Sequence, residues 1–191
     1  TQLALHCGAN VIGTASTRKH EFLKQLGVGD CIDYRTEDFE KRVMEITNGA
    51  GVELVLDAVG GSSFKKSFRV LAPTGRLGMF GISSAATGKK RNYWSFVKMA
   101  ASMPWLKFNP VALIDQNKGV FGVNLGHLWD EMDRVRDWLE TLLELYSQGV
   151  VKPVIDTTFT FAHASRAHHY IQDRKNIGKV LLVPDQKAQH M

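Results

Sequence analysis

The rhythm of this chain constrains its fold more than any other feature. Apolar runs of strand length recur at a steady pitch: residues 10–15 (NVIGTA), 30–34 (DCIDY), 53–58 (ELVLDA), 76–82 (RLGMFGI) and 119–125 (GVFGVNL). Helical patterns lie between them. The first ends at Gly8 after Leu3, Ala4 and Cys7, and the second runs over 17–26 and stops at Gly27. The third sets Phe39, Val43 and Ile46 on one face and stops at Asn48-Gly49. In the fourth Ser62 can cap, Phe64, Phe68 and Leu71 share a face, and Pro73-Thr74-Gly75 make a turn. An unbroken run such as VLDAV suits a strand buried on both faces. Helix and strand in alternation predict βαβ units, and therefore an α/β, doubly wound parallel (Rossmann) sheet with right-handed crossovers.

Two stretches break the rhythm. Residues 83–109 form an insertion holding Lys89-Lys90-Arg91 and then Tyr93, Trp94, Phe96, Trp105 and Phe108. Residues 127–148 read as the most regular helix, with Leu128, Met132, Val135, Leu139, Leu142 and Tyr146 making one apolar face expected to pack on a sheet. Beyond Gly149 the pattern changes. Residues 151–161 read as a strand with a proline in it, hence an edge or a bend, followed by a short helix over 164–173 and a strand over 179–183. The expected division is 1–149 as a dinucleotide-binding domain and 150–191 as a separate segment. The opening Thr1-Gln2-Leu3-Ala4-Leu5 reads as the inside of a helix rather than a signal peptide.

Composition narrows the classes. An apolar fraction of 44% excludes a disordered or collagen-like chain, and two cysteines are too few for a disulfide scaffold and suit a reducing compartment. No apolar run approaches the roughly 20 residues that span a bilayer. Lys plus Arg at 24 against Asp plus Glu at 19 gives +5, with the signs interspersed, so no nucleic-acid partner is expected.

Doubly wound folds bind ligands at the carboxyl ends of their strands. After the first visible strand comes Thr14-Ala15-Ser16-Thr17-Arg18-Lys19, with no carboxylate before Glu21. An NAD-binding fold carries an acidic residue here for the ribose 2′-hydroxyl. A carboxylate would repel a 2′-phosphate, whereas hydroxyls and the cationic pair Arg18 and Lys19 would hold it by charge-assisted hydrogen bonds, so the sequence favours NADP(H). The plainer reading is that both cations merely decorate a helix start. Val59-Gly60-Gly61 and Gly81-Ile82-Ser83 follow two further strands, with small residues that allow a flat ligand to approach the backbone.

The motifs QLALHCGANVIGTASTRKHEFLKQLGVGDCIDY, GVELVLDAVGG, GRLGMFG, VFGVNL and KNIGKVLLVP resemble the medium-chain dehydrogenase/reductase superfamily. Within it they resemble the zinc-independent quinone-oxidoreductase (zeta-crystallin-like) branch, and there the synaptic-vesicle membrane protein subfamily. The resemblance covers almost the whole chain, with residues 83–109 the loosest part. It implies that Ser16, Lys19 and Tyr34 hold the 2′-phosphate, with Thr14 an adjacent contact. It implies that Val59 and Gly60 lie along the nicotinamide ribose, Gly81 and Ile82 near the nicotinamide, and Phe121 and Val123 along the carboxamide. Asn176 resembles a late residue near the nicotinamide end. The family's glycine-rich turn and first strand would stand before Thr1, so the expectation is a Rossmann sheet lacking its first strand. Residues 150–191 then resemble the return segment of a GroES-like substrate domain.

The implied activity is NADPH-dependent hydride transfer to a quinone or an α,β-unsaturated carbonyl, in a cytoplasmic homodimer, with peripheral membrane or mitochondrial placement as alternatives. No residue here is assigned as a proton donor, so the catalytic residues stay unknown. Cys7 and Cys31 are far apart without a CxxC, and His168-His169 point to different faces of a helix, so no metal site is expected. The aromatic-basic insertion reads as pocket wall or dimer surface ahead of a peripheral membrane contact through 89–108. A non-catalytic NADPH-binding or membrane-associated adaptor with the same fold is the competing function. A splice product or proteolytic core without independent activity is a third.

Overall fold

The computed structural model describes residues 1–83 and 109–185. Helices and strands alternate through α1 (Gln2–His6), β1 (Ile12–Thr14), α2 (His20–Gln25), β2 (Asp30–Ile32), α3 (Phe39–Ile46), β3 (Val52–Asp57), α4 (Ser62–Arg69), β4 (Leu71–Met79), α5 (Pro110–Gln116), β5 (Gly119–Gly122), α6 (Met132–Ser147), β6 (Ile155–Thr160), α7 (Ala164–Gln172) and β7 (Lys179–Val183). Short 3₁₀ turns precede α2, α6 and α7. The strands form the sheets β1-β2, β3-β4-β5 and β6-β7, and every pair in the last two is parallel. A doubly wound sheet orders its strands 3-2-1-4-5-6. The β1-β2 pair and the β3-β4-β5 triplet have the neighbours of its two halves, so the architecture is α/β of the Rossmann type, although no described strand joins pair to triplet.

The chain divides into two compact units: residues 1–13, 17–31 and 136–191, and residues 14–16 and 32–135. The second carries the β3-β4-β5 sheet. Its core gathers Ile32 and Leu77, both fully buried, with Val43, Phe64, Val70 and Leu71. Asp38 caps α3 by accepting from Glu40 N at 3.0 Å. Two ion pairs then hold α3 beside α4, Lys66 Nζ to Asp38 Oδ2 at 2.6 Å and the Arg69 fork to Glu40 at 2.5 and 2.6 Å.

Several expectations for this unit need correction. Gly61, not Ser62, stands at the start of α4, and no side chain caps that helix. The helix does not reach Leu71, because Val52 N takes the Val70 carbonyl at 2.9 Å and draws the chain into strand pairing. The Pro73-Thr74-Gly75 turn is a bulge inside β4: register jumps from Val52↔Leu71 to Leu54↔Arg76, and Thr74 takes a φ of +68°. The strand read at 53–58 is not buried on both faces. α4 covers one face, while Leu54 and Leu56 on the other are 53% and 62% exposed. A further helix, α5, was not expected. Asn109 caps it by accepting from Val111 N, and Pro110 opens its first turn.

The first unit holds the β6-β7 pair crossed over by α7. Gln2 of α1 bridges Lys152 both ways, donating from Nε2 to its carbonyl at 3.0 Å and accepting from its N–H at 2.9 Å. Ala167 of α7 is buried, and the Phe159 and Tyr170 rings sit with centroids 6.0 Å apart. Pro153 lies outside β6, so it marks the bend before the strand. α6 begins at Met132, later than expected, and departs from expectation in packing: it has no buried residue, and Leu139, Leu142 and Tyr146 are exposed.

Candidate functional site

β3, β4 and β5 end level with one another, in the register Asp57↔Met79↔Gly122. Backbone bonds carry that alignment past the strand ends. Phe80 N donates to the Asp57 carbonyl at 3.1 Å, Ser83 N to the Ala58 carbonyl at 2.9 Å, and Val123 N to the Met79 carbonyl at 2.9 Å. The Asp57 side chain, 4% exposed, turns the loop after β3 back on itself: Oδ1 accepts from Val59 N at 2.7 Å and Gly60 N at 3.2 Å. Its Oδ2 accepts from Ser67 Oγ of α4 at 2.7 Å.

This turn presses the loops after β3 and β4 together. Gly60 has a φ of +80°, and a Cβ there would stand 2.9 Å from Ile82 Cγ2 and 3.2 Å from Ile82 Cα. A Cβ on Gly81 would meet the Ala58 carbonyl oxygen at 3.0 Å. Behind them the Phe121 ring lies over Gly78, where a Cβ would meet its Cζ at 2.7 Å. Val59, Phe80, Ile82, Phe121 and Val123 remain exposed around this floor. The result is a flat apolar ledge at the carboxyl ends of three parallel strands, with backbone close beneath it. Asp57 spends its carboxylate on internal donors, so the ledge offers surface and shape rather than a proton. Such a floor fits one face of a nicotinamide ribose and ring, because glycines stand where a Cβ would fill the cradle.

The ledge therefore brings together Val59, Gly60, Gly81, Ile82, Phe121 and Val123. Thr14, Ser16 and Tyr34 belong to the same unit; Thr14 is the last residue of β1, and Ser16 and Tyr34 stand two residues past the ends of β1 and β2. Ala15 N donates to the Ile32 carbonyl at 3.0 Å and aligns those ends. Ser16 is buried; Thr14 and Tyr34 are exposed. The turn bearing Tyr34 is fixed on both sides, with Asp33 N donating to Glu37 Oε2 at 2.8 Å and Asp33 Oδ1 accepting from Arg35 N at 2.9 Å.

Lys19 and Asn176 belong to the other unit. Lys19 ends the 3₁₀ turn before α2, and Asn176 Nδ2 donates to the Gly178 carbonyl at 2.9 Å. Arg18, read in the sequence as half of a cationic pair, is engaged elsewhere. Its Nη2 donates to the carbonyls of Arg174 at 3.1 Å and Lys175 at 2.6 Å. Two contributors escaped the sequence reading, Asp57 and Phe80. A lone carboxylate inside an apolar run, just before Ala58-Val59-Gly60, is the available signal for the first, since Asp side chains commonly bond N–H groups two residues on.

Among the described residues no group of three His, Cys, Asp or Glu could hold a metal ion, and no helix is long and apolar enough to cross a membrane. The stretch 89–108 lies outside the described residues.

The zinc-binding dehydrogenase family matches residues 26–182. A synaptic vesicle membrane protein VAT-1 homolog of Rattus norvegicus is 41% identical over 176 residues, covering 91% of this chain and 42% of its own length. A 2-haloacrylate reductase of Burkholderia sp is 29% identical over 187 residues, 95% of this chain and 50% of its own. The crystal structure of a Pseudomonas syringae pv. Tomato DC3000 quinone oxidoreductase superposes with a TM-score of 0.74 at 27% identity, covering 96% of this chain and 51% of that one. The chain thus spans about half or less of the length of these relatives.

Proposed function

The chain belongs to the zinc-binding dehydrogenase family, in the VAT-1-like branch of the medium-chain dehydrogenase/reductases, and on that premise we propose that it is the cofactor-binding part of an NADPH-dependent oxidoreductase. The substrate class is a quinone or an α,β-unsaturated carbonyl, and the relatives named as a quinone oxidoreductase and a 2-haloacrylate reductase support that class. The single observation that carries the reading is the glycine-floored ledge formed by Val59, Gly60, Gly81 and Ile82 at the carboxyl ends of β3 and β4.

When bound, the dinucleotide would supply the hydride; the chain's own residues supply binding and orientation. The Gly60 and Gly81 backbones seat the ribose and ring at close approach. Phe121 and Val123 flank the ring and exclude water from one side. Ser16, Lys19 and Tyr34, with Thr14 beside them, hold the 2′-phosphate, Lys19 by charge and the hydroxyls by hydrogen bonds. Asn176 serves the nicotinamide end. In this reading residues 1–149 are the NADP-binding domain and 150–191 the return segment of the substrate domain. The family resemblance supports a homodimer placed in the cytoplasm, with peripheral membrane or mitochondrial placement as the alternatives.

The test is Lys19→Ala in the intact protein, with NADPH and NADH affinities measured side by side. Loss of a charge-assisted contact weakens NADPH by about 10- to 100-fold and leaves NADH unchanged. Equal effects on both cofactors would remove the 2′-phosphate assignment. An intact protein that binds NADPH yet turns over no member of a broad quinone and enone panel would favour the adaptor function instead.

A further inference from the structure

Arg18 stands one residue before the proposed 2′-phosphate lysine, yet its guanidinium reaches across the sequence to the loop between α7 and β7. Nη2 donates to the carbonyls of Arg174 at 3.1 Å and Lys175 at 2.6 Å, the two residues immediately before Asn176. These carbonyls follow the C-terminus of α7, where a cation is favoured by the helix dipole. The loop they belong to is tightly built. Arg174 takes a φ of +56°, Lys175 Nζ pairs with Asp173 Oδ2 at 3.0 Å, and Asn176 Nδ2 is held by the Gly178 carbonyl at 2.9 Å. Gly178 follows at a φ of +111°, with Val154 packed against the space a Cβ would need. The charge of Arg18 also reaches the Tyr170 hydroxyl, opposing the rise in its pKa that the hydrogen bond with Asp156 causes.

We propose that Arg18 is a positioning residue, a clamp that fastens the Asn176 loop to the segment bearing Lys19 and so couples the phosphate end of the cofactor to its nicotinamide end. The proposal rests on the cofactor reading above. Nη2 of Arg18 is bonded to two main-chain oxygens directly before Asn176, which is the contact a clamp on that loop requires.

The experiment compares the unsubstituted intact protein with Arg18→Gln, Arg18→Lys, Asn176→Ala and the Arg18→Gln/Asn176→Ala double variant. Two probes are titrated: adenosine 2′,5′-bisphosphate, which carries the phosphate end alone, and NADPH, whose nicotinamide fluorescence reports its own end. Arg18→Gln is expected to bind the bisphosphate within about 2-fold of the unsubstituted protein. The same variant loses about 10-fold in NADPH affinity, about 1.4 kcal/mol, and loses the fluorescence change on binding. Arg18→Lys restores part of both, and the double variant is no worse than Asn176→Ala, because one loop carries both effects. A bisphosphate affinity that falls as far as the NADPH affinity makes Arg18 a phosphate ligand and overturns the clamp. Additive losses in the double variant overturn it as well. If the unsubstituted protein binds neither probe, the cofactor reading fails and the clamp falls with it.

Discussion

Asp57 shows how one buried carboxylate can shape the surface at the end of a strand. Its two oxygens accept three bonds, from Val59 N, Gly60 N and Ser67 Oγ, and these fold the loop after β3 into a floor. Asp57→Ala leaves those donors without their partner. Urea unfolding is expected to show a loss of about 2–4 kcal/mol, since each buried unsatisfied group costs about 1–3 kcal/mol and solvent reaches some of them. Asp57→Asn retains the Oδ1 acceptor and should cost less than half as much; equal losses would mean that the loop does not depend on those two N–H bonds. Gly60→Ala combines a φ of +80° with a contact of 2.9 Å to Ile82. It should destabilise by about 1–3 kcal/mol and weaken NADPH binding in proportion, read by thermal unfolding and titration. At this scale the sequence was legible where small residues follow a strand: Gly60 and Gly81 stand just past the ends of β3 and β4, where a Cβ would meet Ile82 and Ala58. Placing Ser16, Lys19 and Tyr34 on a 2′-phosphate comes from the family resemblance and belongs to the proposal. The bonds of Arg18 were not legible, because its partners lie 156 and 157 residues away and no local pattern announces a bond between a guanidinium and distant carbonyls.

α3 and α4 are joined by two ion pairs besides carrying the buried Val43 and Phe64. A hydrogen bond from Lys66 holds the Asp38 carboxyl below its ordinary range, and one from Arg69 does the same for Glu40. A carboxyl whose pKa is depressed by folding contributes stability that is present above its unfolded pKa and lost as pH falls through its folded value. The helix pair should therefore hold at neutral pH and loosen as pH drops below about 4, the ordinary carboxylate range. Circular dichroism against pH checks the direction. The Lys66→Met/Arg69→Met variant should lose that part of the acid dependence, and an unchanged acid limb would remove the two pairs as its cause. These pairs are exposed enough that the effect belongs to the acid slope rather than to stability at neutral pH. Element boundaries were less legible than element types. α4 was read too long because Val70 and Leu71 continue its apolar pattern, and only the bond from Val52 N to the Val70 carbonyl assigns them to the strand side. α6 shows the opposite failure. Its apolar periodicity is real, yet periodicity names a face and cannot say what that face meets; no residue of this helix is buried.

At the scale of the molecule, alternation of helix and strand predicted parallel pairing, and the structure shows it in the order β3-β4-β5. It could not predict that the β3-β4-β5 sheet would be covered unevenly. Leu77 on one face is fully buried, while Leu54, Leu56 and Phe121 share the other face and are exposed. The register lines them up in adjacent rows, Leu54↔Arg76↔Gly119 and Leu56↔Gly78↔Phe121, so they form one patch rather than scattered residues. A contiguous apolar patch of this kind drives association when it meets water. The 191-residue chain, studied by itself, should bind an apolar dye and sediment as concentration-dependent oligomers. Leu54→Ser/Leu56→Ser should suppress both. Because these side chains are already in water, the same double variant should change unfolding free energy by no more than about 0.5 kcal/mol per site. A large loss of stability would mean instead that the face is covered in solution, and unchanged association would place the sticky surface elsewhere, with the exposed Leu139, Leu142 and Tyr146 of α6 the next stretch to substitute.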